Sequence, residues 1–161
     1  MILTMRRMVP EDRARVERLL SRIKVFNRED QSIALELVDL AIQNSGQKEY
    51  DFILAFDGSE QLIGYACFGP TPLTDRTFDL YWIAVDPDFA RQGVGKALLK
   101  KVEEEISGQK GRMIIIETSS GPEYTPTKGF YPRNNYLLAE TIKDFFREGE
   151  DRVTYVKTLG Q

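Results

Sequence analysis

Residues 80–99 read Leu80-Tyr81-Trp82-Ile83-Ala84-Val85-Asp86-Pro87-Asp88-Phe89-Ala90-Arg91-Gln92-Gly93-Val94-Gly95-Lys96-Ala97-Leu98-Leu99, and three regimes follow one another in that stretch. Leu80 to Val85 is an apolar and aromatic run, the composition of a half-buried strand. Asp86-Pro87-Asp88 is turn chemistry, because proline presets φ and aspartate bonds the backbone that follows it. From about Gly93 to Ile106 the period becomes helical: Val94, Leu98, Val102 and Ile106 share one face, while Lys100/Glu104 and Lys101/Glu105 form i,i+4 pairs on the other. At the junction, Gly93 and Gly95 let backbone come close to a ligand. The first amides of the helix have no partner inside it, so a diphosphate can be held by main-chain N–H groups with Arg91 and Lys96 beside it.

Working outward, Ile2 to Met8 reads as a first strand. Pro10, Glu11 and Asp12 then suit a helix start, with Val16, Leu19, Leu20 and Ile23 at helical spacing. A second helix is expected from an Asp30 cap, through Ile33, Leu37, Leu40 and Ala41, to a stop at Gly46. Phe52–Phe56 and Leu62–Phe68 are strands joined by Asp57-Gly58-Ser59-Glu60, and Thr77–Val85 is the next strand of the meander. Beyond the helix stopped by Gly108, Met113-Ile114-Ile115-Ile116 is apolar without alternation, as for a strand covered on both faces. A short helix from Thr125-Pro126 to about Pro132 and two closing strands, Tyr136–Ile142 and Arg152–Thr158, complete the order β-α-α-β-β-β-α-β-α-β-β. That order calls for a three-layer α/β sandwich around a mixed, mostly antiparallel sheet. No repeat or Pro/Gly/Ser linker divides residues 1–161, which read as one domain.

Composition excludes several classes of function. Hydrophobic residues at 42% and charged residues at 29% suit a folded globular chain. A net charge of −3 with scattered Lys and Arg gives no nucleic-acid or anionic-membrane footprint. Neither a secretory signal layout nor an apolar stretch of spanning length is present, so a cytoplasmic protein is expected. The lone cysteine, Cys67, reads as a small buried hydrophobe. The count of His is 0, which removes His-dependent nucleophilic triads and the usual zinc sites; no metal is expected, and proton transfer must use Glu, Asp, Tyr, Lys or water.

For the glycine junction itself, a dinucleotide turn fails because Leu98 stands where a third small residue is needed, and a P-loop fails for want of its Lys-Ser/Thr end. A plain tight turn fits the glycines alone. Ile83-Ala84-Val85-Asp86-Pro87 followed by Arg91-Gln92-Gly93-Val94-Gly95-Lys96-Ala97-Leu98-Leu99, however, closely resembles the signature of the GNAT superfamily of N-acetyltransferases, whose element order also runs through the whole chain. The resemblance implies acetyl-CoA as cosubstrate. Main-chain groups of Ile83, Ala84 and Val85 would contact the pantetheine arm, and Arg91, Gln92, Gly93, Val94, Gly95 and Lys96 would surround the pyrophosphate. This chain departs from the family pattern at Ala90, where Gln or Arg is usual, at Tyr124, which takes the place of an Asn, and at Asn135-Tyr136, which replaces a Gly-Phe.

In Gly129-Phe130-Tyr131-Pro132-Arg133 the family's tyrosine is present, and Tyr131 is thereby implied as the general acid that protonates the leaving thiolate. With an ordinary pKa near 10, a tyrosine stays protonated while a thiolate of pKa about 8.5 departs. An amine of pKa about 10.4 is almost all ammonium at pH 7, so a base is needed; Glu117, at the end of the central strand, is the first candidate, ahead of Tyr81, Asp79 and Tyr124. Phe78, Tyr81, Trp82, Tyr124, Phe130, Tyr131 and Tyr136 belong either to the core or to an acceptor pocket. The expected activity is direct transfer of acetyl from acetyl-CoA to a small-molecule or peptide primary amine, without an acyl-enzyme. A non-catalytic acyl-CoA-binding module and a nucleotide-dependent oxidoreductase are the rivals, and a homodimer is left open.

Overall fold

Local chemistry explains where the elements begin and end. The computed structural model describes residues 1–122, 124 and 128–160. Strand β1 is Thr4–Arg7, and Pro10–Asp12 form a single 3-10 turn that leads into α1, Arg13–Ser21. Val16, Leu19 and Leu20 of α1 are buried. Helix α2, Arg28–Gln43, starts three residues earlier than the sequence suggests, because Asn27 and Asp30 form a reciprocal capping box: the Asn27 side chain accepts from Asp30 N–H, and the Asp30 carboxylate accepts from Asn27 N–H. Its inward face is Ala34 and Val38, whereas Ile33 and Leu40, expected inside, are each 47% exposed.

Strands β2 (Asp51–Phe56), β3 (Leu62–Pro70) and β4 (Thr77–Val85) form the antiparallel meander. Helix α3, Val94–Gly108, crosses to β5, Met113–Ser119, which lies parallel to β4. A one-turn helix α4, Phe130–Arg133, then precedes the hairpin of β6 (Leu137–Arg147) and β7 (Glu150–Thr158). The helix start expected at Thr125-Pro126 lies outside the described residues. Among the described residues seven strands are ordered β1-β2-β3-β4-β5-β7-β6 with one parallel pair, the mixed, mostly antiparallel sheet expected.

Two cores flank this sheet. On one face α3 packs on Ile53, Ala66, Phe68, Phe78, Leu80, Ile114, Ile116 and Tyr155 through Val94, Leu98, Leu99, Val102 and Ile106. On the other face α1 and α2 cover Phe52, Leu54, Tyr65, Cys67 and Ala84. That second core draws on β2, β3 and β4, and among the described residues includes none from β5, β6 or β7. The central strand β5 is therefore buried on its α3 face alone: Ile114 and Ile116 are buried, Met113 and Ile115 are half-buried, and Glu117 is exposed. Coverage on both faces was expected from its apolar run, but the helix pair does not reach that far across the sheet.

Candidate active site

The site grows from the way β4 and β5 part. They pair at Thr77↔Met113, Phe78↔Ile114 and Asp79↔Ile115, and beyond those three rows they do not pair with each other. β4 remains bonded to β3 as far as Val85↔Gly64, and β5 remains bonded to β7 as far as Ser119↔Arg152. The edge of β4 from Leu80 to Val85 thus turns main-chain groups into a gap, where an extended ligand can bond as a strand would. A register shift sets Trp82 against Cys67 and Leu80 against Phe68, so Tyr81 is an extra residue that bulges from β4.

At the head of this gap the chain turns sharply. Asp86 is 1% exposed, and its carboxylate accepts from Asp88 N–H at 2.9 Å and from Arg22, which follows α1, at 2.9 and 3.1 Å. Arg22 also reaches Asp88 at 2.7 Å. Arg91 then takes a φ of +62° and Gly93 a φ of +84°, two left-handed residues that turn the chain into α3. Gly93 is the cap position of α3, and no side chain caps that end among the described residues, so the first amides of the helix face outward. Arg91, Gln92 and Lys96 are exposed around them. A Cβ on Gly93 would meet nothing within 4 Å, which leaves room for a ligand over the loop.

Beneath the loop, Gly64 of β3 is pressed against β4 and α3: a Cβ there would stand 3.0 Å from Ala84 O, 3.0 Å from Leu98 Cδ1 and 3.2 Å from Val94 Cγ1. Gly95 has more room, with Phe130 at 3.5 Å and Val85 at 3.7 Å from such a Cβ. Phe130 thus joins α4 to the loop, and its neighbour Tyr131 packs against the core on the α3 side. Tyr131 packs among Phe130, Tyr136 and Tyr155 with ring centroids 5.1, 5.9 and 5.6 Å away. Burial, and less so the neighbouring Tyr155, pushes its phenol well above the ordinary tyrosine range, so it stays protonated at neutral pH. A cavity of about 50 Å³ beside it is lined by Thr118, Ser120, Tyr124, Lys128 and Tyr155.

Glu117 lies on the other face of the sheet. It follows Ile116, whose side chain lies in the α3 core, so strand alternation directs it to the face of α1 and α2. It is half-exposed, with Arg152 at 3.9 Å. On the same face Tyr81 packs edge-on to Tyr50 at 5.4 Å, and Asp79 accepts from Thr71 Oγ1 at 2.7 Å. Burial and then Asp79 push the Tyr81 phenol up to about 12, which makes it a poor base at neutral pH. Of the aromatic group considered above, Phe78 and Tyr136 are core residues at 4% and 2% exposure. Arg22, Asp86 and Gly64 were missed as site residues; Asp86 was legible only as turn chemistry, and Gly64 leaves a local trace, a glycine inside a strand, which often marks a close backbone approach.

A family model for the acetyltransferase (GNAT) domain matches residues 48–136, a span that includes β2 to β5, the loop and Tyr131. The chain belongs to the GNAT acetyltransferase family. A GNAT-family protein of known structure from Desulfovibrio desulfuricans is 36% identical over 99% of this chain and 100% of its own, with a TM-score of 0.94. The GNAT fold recurs at lower identity in the ribosomal-protein-S18-alanine N-acetyltransferase of Escherichia coli (18% identity, 99% and 96% coverage, TM-score 0.77). It recurs also in the PaiA N-acetyltransferase of Thermoplasma acidophilum, solved in complex with coenzyme A (15% identity, 99% and 100% coverage, TM-score 0.78). No sequence among the curated proteins matches the chain. No helix among the described residues of this GNAT domain is long and apolar enough to cross a membrane.

Proposed function

We propose that this protein is an acetyl-CoA-dependent N-acetyltransferase that acts on a primary amine by direct attack. The observation that carries the reading is the junction of β4 and α3: a strand edge released from its neighbour at Asp79, then two left-handed residues, then outward amides at a helix start. That surface fits coenzyme A, since main-chain groups of Ile83, Ala84 and Val85 suit a pantetheine arm and Arg91 to Lys96 suit a pyrophosphate. Acetyl-CoA supplies an activated acetyl thioester.

In this reading Glu117 takes the proton that keeps the acceptor an ammonium, directly or through one water; freeing that amine at pH 7 costs roughly 4 to 5 kcal/mol. The amine lone pair forms the new N–C bond, the C–S bond breaks with its electrons passing to sulfur, and the Tyr131 hydroxyl gives sulfur a proton. The proton left on the product nitrogen goes to solvent and Tyr131 is reprotonated, so that amide, free thiol and one net proton are the products. The main-chain amide near Val85 polarises the acetyl carbonyl. Acid and base stand on opposite faces of the sheet, so thiol and amine meet through the gap from two sides.

A reducing, cytoplasmic setting belongs to the same reading, since Cys67 is a buried free thiol. Release of thiol from acetyl-CoA in the presence of primary amines tests the activity. Coenzyme A that binds in a calorimeter, with no turnover on any amine, would instead mark a binding module.

A further inference from the structure

We propose that the acceptor carries a second positive charge, as a diamine or polyamine does, and that it lies along the row Glu117, Thr154 and Glu140; the inference rests on the acetyltransferase reading above. Thr154 of β7 is the register partner of Glu117 on β5 and of Glu140 on β6. Partners in antiparallel strands project to the same face, so the three side chains form one line across the uncovered side of the sheet. The outer two stand about 10 Å apart at the backbone, twice the strand spacing.

Three features of this row point to a cation. First, Thr154 is 8% exposed, and its Oγ1 is buried without a hydrogen-bond partner among the described residues, which leaves an unused oxygen in the middle of the row. Second, the two carboxylates share a single guanidinium: Arg152 Nη2 donates to Glu140 at 3.2 Å and Nη1 stands 3.9 Å from Glu117, while the same group lies 4.8 Å above the Phe145 ring. Two negative charges against one positive leave the row anionic. Third, the helix pair that covers the other half of this face stops at β4. An ammonium has three donors and no acceptor, the complement of a carboxylate, hydroxyl and carboxylate in line. With its reacting nitrogen at Glu117, a four-carbon diamine extends its other ammonium toward Glu140. A carboxylate on the acceptor would meet the two carboxylates of Glu117 and Glu140, while both terminal nitrogens of Arg152 already face them and its one unpartnered donor among the described residues, Nε, is buried.

The test compares 1,4-diaminobutane, n-butylamine and 4-aminobutyrate as acceptors at fixed acetyl-CoA. The diamine is expected to have the highest kcat/KM, by about tenfold over butylamine, as for one charged hydrogen bond. That advantage should shrink as salt rises, and in Glu140→Gln the diamine-to-butylamine ratio should fall several-fold. In calorimetry with coenzyme A present, 1,4-diaminobutane should bind where 4-aminobutyrate does not, a readout independent of turnover and of the variant. Equal use of butylamine, or preference for 4-aminobutyrate, overturns the inference. Turnover of none of the three while coenzyme A binds overturns it as well and leaves the cofactor reading intact; loss of coenzyme A binding itself would remove both.

Discussion

Arg22 and Asp86, 64 residues apart in sequence, make a two-point ion pair at 2.9 and 3.1 Å that ties the end of α1 to the turn before the Gly93–Gly95 loop. The carboxylate is buried and also caps the turn through Asp88 N–H, so its charge serves two elements at once.

Asp86→Asn is therefore expected to cost about 2 kcal/mol of stability, the range of a hydrogen bond to a charged group. Urea unfolding measures that. The same variant should weaken coenzyme A binding in a calorimetric titration, because the loop loses its anchor; unchanged affinity would show that the loop is held by other contacts.

Gly64 and Gly95 separate packing from binding. Gly64→Ala places a Cβ 3.0 Å from Ala84 O and Leu98, and overpacking of that kind costs about 1 to 3 kcal/mol. Gly95→Ala meets nothing closer than 3.5 Å and removes a helical glycine, so its melting temperature should hold or rise. On the proposed function its coenzyme A affinity should nevertheless fall, because the methyl group, 3.5 Å from Phe130 and 3.7 Å from Val85, narrows the first turn proposed to hold the pyrophosphate. A Gly95→Ala protein with native affinity would argue against a ligand at that turn.

Tyr131→Phe should lower kcat by about 10²-fold with coenzyme A affinity unchanged, the size of a general-acid contribution. In the proposed role the acid form acts, and burial holds its pKa well above the ordinary tyrosine value. Activity should thus show no loss assignable to Tyr131 as pH rises from 7 to 10. A decline across that range that disappears in Tyr131→Phe would contradict the assignment.

Asp12 offers a pH test of stability. Its side chain is fully buried; burial by itself raises its pKa, but hydrogen bonds from Arg6, Val9 N–H and Arg15 outweigh burial and set it below the usual carboxylate value. A depressed folded pKa means that the stabilisation is fully present above the unfolded value near 3.8 and is lost as pH falls through the lower, folded value. Asp12→Asn should cost about 2 kcal/mol at pH 7 by urea unfolding. The gap between variant and parent should narrow toward pH 3.

Much of the fold was legible because its signals are local. The strand Thr77–Val85, the hairpin at Asp57 to Glu60 and the Val94, Leu98, Val102 and Ile106 face of α3 depend on period and turn chemistry, and each is found at or within two residues of its expected bounds. Less legible was whatever depends on how far one element reaches over another. Ile33 and Leu40 continue an apolar helical pattern yet face solvent, because α2 lies over β2 to β4 with Ala34 and Val38 inward. The turn between β4 and α3 was legible because Gly93 and Gly95 fall in one short stretch, with only Val94 between them. The Arg22–Asp86 pair and the row of Glu117, Thr154 and Glu140 were not, since strand register and long-range docking bring those residues together.

The short union of β4 and β5 has a mechanical consequence. Three paired rows bind two leaves, one of four strands and one of three, along a spine at one end only. From Asp79 to Val85 the free length is about 20 Å at the usual strand rise. A tilt of a few degrees at the spine therefore displaces the far tip by about 1 to 2 Å, so a substitution at Asp79 or Ile115 acts with leverage on residues it never touches.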